Sequence, residues 1–128
     1  MGSIYNNKRF ADFWNERVGN HGEPYKRYVL DPIMFKLLGS ITGLSVLELG
    51  CGNGYLGSRF VKLNAAKVLM MDLSKHNLDF AKSRCSNSHV RFLQQDATTR
   101  WAVPSSSIDI IYYYSSTSGF SPRVVPLF

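Results

Sequence analysis

Between Val46 and Gly57 the chain reads Val-Leu-Glu-Leu-Gly-Cys-Gly-Asn-Gly-Tyr-Leu-Gly. A short apolar run ends in spaced glycines, and an amphipathic segment follows. This is the grammar of a buried strand, a tight turn and a helix. Gly50 and Gly52 let the backbone approach a ligand closely, while Gly54 and Gly57 let the following helix pack near the strand. The N-terminus of that helix offers free amide donors and a partial positive charge.

The flanking sequence agrees. After the Ser45–Leu49 strand, Tyr55–Leu63 carries Leu56, Phe60 and Leu63 on one helical face. Lys67–Asp72 reads as a second strand, and Ser74 as the cap of a helix bearing Leu78, Ala81 and Cys85. Val90–Gln94 is a third strand. Pro104 and a run of serines form a loop, and Ile108–Tyr113 is a fourth strand. Strands alternating with helices of about ten residues imply right-handed βαβ units and a parallel sheet.

The two ends differ from this middle. Residues 4–40 read as helical and aromatic, with Phe10, Phe13, Trp14 and Val18 at helical spacing and a break over Gly19–Pro24. Asp31-Pro32 reads as a cap followed by proline in the first helical position. Ile33, Met34, Leu37, Leu38 and Ile41 continue as an apolar stripe, and the spacing assigns most of the aromatic residues to core packing. Residues 115–128 contain four serines and two prolines but no acidic residue, and read as an irregular tail. The expected organisation is a helical cap over 1–43, a nucleus over 44–114 and the tail over 115–128.

Composition sets limits. No run of eighteen apolar residues exists, so no membrane-spanning helix is expected. Met1–Lys8 lacks the apolar centre of a secretory signal. Two cysteines, Cys51 and Cys85, make no disulfide framework, which fits a reducing cytoplasm. They form no C-x-x-C, and His21, His76 and His89 have no ligand-like spacing, so no metal site is expected. The formal charge is +6, but no basic run exceeds two residues. The basic residues read as solvated faces, so nucleic acid is not the expected partner.

Three strand ends carry the chemistry. Glu48 lies two residues before Gly50, at the expected mouth of the turn. A carboxylate there repels a pyrophosphate and attracts an ammonium or sulfonium group. Asp72 closes the second strand, where a carboxylate can accept from both hydroxyls of a ribose. Asp96 follows the third strand. It can accept from an adenine amino group, with the Ala97 amide donating to a ring nitrogen. All three lie at the carboxyl edge of the sheet, where open α/β sheets bind ligands. Gly52–Gly57 also satisfies the dinucleotide pattern G-x-G-x-x-G, so a dinucleotide oxidoreductase fragment stays open beside a cationic cofactor.

Glu48-Leu49-Gly50-Cys51-Gly52-Asn53-Gly54 resembles the E/D-x-G-x-G-x-G motif of class I S-adenosylmethionine-dependent methyltransferases. The resemblance covers about residues 5–113. It implies a Rossmann-like, three-layer αβα fold with a mainly parallel sheet. It also implies that Glu48 and the loop Gly50, Cys51, Gly52, Asn53 and Gly54 hold the methionine part of S-adenosyl-L-methionine. Asp72 would hold the ribose, Leu73 would lie against the adenine, and Asp96 and Ala97 would read its edge. The helical cap resembles the one that small-molecule members fold over cofactor and substrate. The implied reaction is in-line displacement at the sulfonium methyl, with a small-molecule acceptor, no metal and no nameable catalytic base. That family's sheet has seven strands in the order 3-2-1-4-5-7-6, and this chain carries signals for four. The resemblance therefore implies truncation after the fourth strand or a frameshifted tail, a bare apolar edge on that strand, and the alternative of a non-catalytic cofactor-binding fragment.

Overall fold

Ser45–Leu49 forms β1, the central strand of a five-stranded sheet, in a computed structural model that describes residues 7–85, 87–96, 103–113 and 123–126. β2 (Lys67–Asp72), β3 (Val90–Gln94) and β4 (Ile110–Tyr113) complete a parallel set. The order is β3-β2-β1-β4, with a fifth strand, β5 (Arg123–Pro126), beyond β4. β5 runs antiparallel, pairing Ile110 with Pro126 and Tyr113 with Arg123. This corrects two sequence expectations. The tail is not wholly irregular, and the outer edge of β4 is not bare. A valine pair beside a proline can pair one edge of a sheet without continuing it, because proline cannot donate to a further strand.

The strands bury both faces, as a parallel sheet requires. Glu48 of β1 lies in register between Met70 of β2 and Tyr112 of β4. Period-two alternation therefore sends Glu48 to the same face as Val46, Val68, Met70, Ile110 and Tyr112. That face packs the helices, α1 (Lys8–Val18), α2 (Asp31–Leu38), α3 (Tyr55–Lys62) and α4 (Lys75–Arg84). The opposite face gathers Leu47, Leu49, Met71 and Ile111, covered among the described residues by strand and loop side chains such as Leu69, Val103 and Ile108. The second helical layer of a three-layer fold is not represented among the described residues.

The N-terminal segment departs from its sequence reading. A π-helical turn, Lys26–Leu30, runs directly into α2. Asp31 is therefore the first residue of α2 and makes no cap; Leu30 occupies the cap position with helical dihedrals. Of the apolar stripe, Met34 and Ile41 are buried, whereas Ile33 is 52% and Leu37 80% exposed. One eight-residue helix turns only part of its circumference to the sheet, and Met34, Phe35 and Leu38 take that part. Phe13, Tyr25 and Tyr28 also face outward rather than packing in the core. Leu63, expected on the buried face of α3, lies exposed just past the helix end.

Candidate functional site

The glycine turn is shaped by conformation that only glycine adopts cheaply. Gly50, Gly52 and Gly54 have φ of 67°, 56° and 81°. The reasons differ along the turn. A Cβ on Gly54 would stand 2.6 Å from the Ala81 side chain and 2.8 Å from its Cα, so Gly54 exists to let α4 approach. Among the described residues, a Cβ on Gly50 or Gly52 would meet nothing within 4 Å. These two glycines border open space at the carboxyl ends of β1 and β2.

Asp72 fixes the turn to the sheet. It is 7% exposed, and its Oδ2 accepts from the Gly52 amide at 2.8 Å. Its Oδ1 accepts from the Ser74 amide at 2.8 Å. Burial pushes its pKa up from the usual carboxylate value, against the pull of these hydrogen bonds. Oδ1 also accepts from Asn77 Nδ2 at 3.5 Å, so lone-pair capacity for a further donor is left on Oδ2. The Cys51 amide adds a bond to the Met71 carbonyl at 3.0 Å. The Cys51 thiol is buried, which raises its pKa well above the ordinary value and leaves it a poor nucleophile.

Asn53 ties the turn to the N-terminal segment. Its Nδ2 donates to Asn15 Oδ1 at 3.2 Å and to the Gly19 carbonyl at 2.9 Å. Its Oδ1 accepts from the Tyr55 amide at 3.2 Å. The side chain is thus a strut between turn, α1 and α3, a role that spacing alone does not reveal. Leu73 is half-buried beside Asp72, and its carbonyl accepts from Gln94 Nε2 at 3.3 Å. Asp96 is exposed just beyond β3. Ala97 lies outside the described residues.

Glu48 is not at an open mouth. It is 3% exposed, beneath α3, and its Oε2 has no hydrogen-bond partner among the described residues. The Gly57 amide supports the carboxylate, yet desolvation raises its pKa to about 8, with Lys26 opposing and Asp72 and Asp31 adding to the rise. The period-two pattern that buries Val46 carries Glu48 inward with it.

Beside Glu48 sits a group that sequence reading missed. Asp31 is fully buried (0% exposed), and Tyr55 Oη donates to its Oδ2 at 3.0 Å. Arg59 approaches the same oxygen at 3.9 Å, and Oδ1 has no hydrogen-bond partner among the described residues. Burial raises the Asp31 pKa, and the Tyr55 hydroxyl and Arg59 restrain the rise. The pairing joins residues 24 positions apart. Its sole sequence signal was an aspartate before proline, which equally fits a cap. Tyr55→Phe removes the hydroxyl and leaves a buried carboxylate oxygen underserved. Urea unfolding should show a loss of about 1–3 kcal/mol. Asp31→Asn combined with Tyr55→Phe should lose less than the sum of the single changes, because the two groups share one interaction.

The sequence model of one family, described as a methyltransferase domain, matches residues 46–126. The match continues past the change in composition near residue 113. Two curated relatives, ubiquinone biosynthesis O-methyltransferases of Rhodopseudomonas palustris strains BisB5 and HaA2, are each 33% identical over 76 residues, covering 59% of this chain. The chain spans about 30% of the length of those relatives. A crystal structure of an S-adenosylmethionine-dependent methyltransferase from Mesorhizobium loti is 27% identical, with TM-score 0.60 over 64% of this chain and 37% of that one. An Aquifex aeolicus SAM-dependent methyltransferase shares the fold at 19% identity, with TM-score 0.64 over 80% of this chain and 55% of its own.

Proposed function

The chain belongs to the methyltransferase domain family, and from that membership we propose that residues 44–114 hold S-adenosyl-L-methionine for methyl transfer to a small-molecule acceptor. The observation that carries this reading is the pair Gly50 and Gly52, open on one side and flanked by two buried carboxylates, Glu48 and Asp72. The residues fit the group. The backbone at Gly50 and Gly52 admits close contact, with Cys51, Asn53 and Gly54 completing the turn. Asp72 has acceptor capacity left for ribose hydroxyls, with Leu73, Asp96 and Ala97 on the adenine side. The match of the methyltransferase family over residues 46–126 favours this cofactor over a dinucleotide.

The cofactor, when bound, would supply a methyl already activated on a positively charged sulfur. The protein's own work is then to align the acceptor and exclude water. Residues 1–43 form the cap over this site in the proposal, held to the turn by Asn53. The name of the curated relatives makes an oxygen nucleophile the first acceptor atom to try. A cytoplasmic setting fits Cys51 and Cys85, both free and buried. Among the described residues no helix is long and apolar enough to cross a membrane.

Asp72→Asn is the decisive substitution. It turns an amide nitrogen toward either the Gly52 or the Ser74 N–H, so binding of labelled S-adenosylmethionine should weaken at least about tenfold, roughly 1.4 kcal/mol. Equilibrium dialysis reads this directly, and unchanged affinity would remove Asp72 from the site. A second reading is a cofactor-holding segment without turnover. Formation of S-adenosylhomocysteine with a panel of small hydroxylated acceptors separates the two: turnover supports the enzyme, and binding without turnover supports the segment.

A further inference from the structure

Basic residues that lie far apart in the sequence converge in the fold. A groove of about 720 Å³ runs between the turn after α1, the π-helical turn, α3 and the end of α4, and it collects His21, Arg27, Arg59, Lys62 and Arg84. No carboxylate stands among the described residues that line it. None of the residues proposed to hold the cofactor lines it either. The volume is that of a small-molecule site, too large for a single ion.

The cations are held in position. Arg84 Nε donates to Asn20 Oδ1 at 3.1 Å, a neutral partner that orients the guanidinium without cancelling its charge. Arg59 is steadied by Asp31 from beneath and lies over the Phe35 ring, 4.4 Å from its centroid. Arg27 rests over the Tyr28 ring at 5.1 Å. Partial burial works against the charge of Arg84, with no carboxylate in the groove to offset the cost. Like charges gathered in one groove repel, and an anion with several oxygens relieves that repulsion through charge-assisted hydrogen bonds. Fixed guanidinium forks suit phosphate oxygens in particular.

We propose that this groove binds a small polyanion carrying at least two linked phosphates. The site is separate from the glycine turn, and S-adenosylmethionine carries no phosphate, so the inference stands apart from the cofactor assignment.

The test is calorimetric titration of the full chain with sodium tripolyphosphate at fixed ionic strength. Saturable one-to-one binding is expected. The double substitution Lys62→Gln with Arg84→Gln should weaken it at least about tenfold, and saturating S-adenosylhomocysteine should leave it unchanged. Arg27→Gln, on the π-helical turn and exposed, gives an independent reading if the double variant fails to fold, and it should weaken binding as well. The proposal is overturned by absence of saturation, by variants of unchanged affinity, by displacement with S-adenosylhomocysteine, or by tight binding to single-stranded RNA with none to tripolyphosphate.

Discussion

Gly54→Ala should lower the stability of the chain by about 3 kcal/mol or more. Two costs add at this position. The residue has φ of +81°, and left-handed backbone costs an L-residue roughly 1–2 kcal/mol. The new methyl would also stand 2.8 Å from the Ala81 Cα, and overpacking of this kind costs about 1–3 kcal/mol. A helix backbone cannot rotate aside as a long side chain can, so α4 must move away from the sheet. For a domain of about 100 residues this corresponds to a fall in Tm of at least about 10 °C. Gly50→Ala is the matched control. It has φ of +67° but open space around its Cβ, so it carries only the conformational cost, about 1–2 kcal/mol. Thermal unfolding followed by circular dichroism reads both. Equal losses in the two variants would show that close approach of α4 does not explain Gly54.

Glu48 gives the second large effect, and it depends on pH. Its folded pKa of about 8 lies above its ordinary value of 4.5, chiefly because burial penalises the charged form. Between these values the folded chain keeps a proton that the unfolded chain has released. Stability of the ligand-free protein therefore falls as pH rises from 4.5 to 8, and above 8 the loss is complete. Its size is on the order of 5 kcal/mol, at about 1.4 kcal/mol for each unit of pKa difference. Asp31 and Asp72, whose pKa values are also raised by burial, contribute in the same direction. Glu48→Gln removes the Glu48 part. Urea unfolding should find the variant more stable than the wild type at pH 8 and equal to it at pH 4.5. Stability curves that run parallel across this range would mean that Glu48 is already ionised in the fold.

These two residues also show where the sequence is legible. Three of the four parallel strands lie where their apolar runs place them, and the fourth begins at Ile110 rather than Ile108. Ser74 caps α4 as its position suggests, accepting from the Asn77 amide at 3.2 Å. Local patterns fix such features, because strand period and cap chemistry act within a few residues. Features that depend on long-range packing are not legible. Glu48 reads as a ligand at an open mouth, yet strand alternation in register with Met70 and Tyr112 buries it. Asp31 reads as a cap, yet Tyr55 and Arg59 converge on it. The groove lined by Arg27, Arg59, Lys62 and Arg84 has no counterpart in sequence runs, since helix faces assemble it. β5 escapes because a strand of four residues, flanked by serines and prolines, carries too little period to register.

The central claim is that the glycine turn, Glu48 and Asp72 form a cradle for S-adenosylmethionine in this chain. Calorimetric titration of the 128-residue protein with S-adenosylhomocysteine tests it most directly. The expected result is saturable binding at one site, undiminished by a nicotinamide dinucleotide and weakened by Asp72→Asn. Absence of binding at millimolar ligand, by a chain whose unfolding is cooperative, would contradict it.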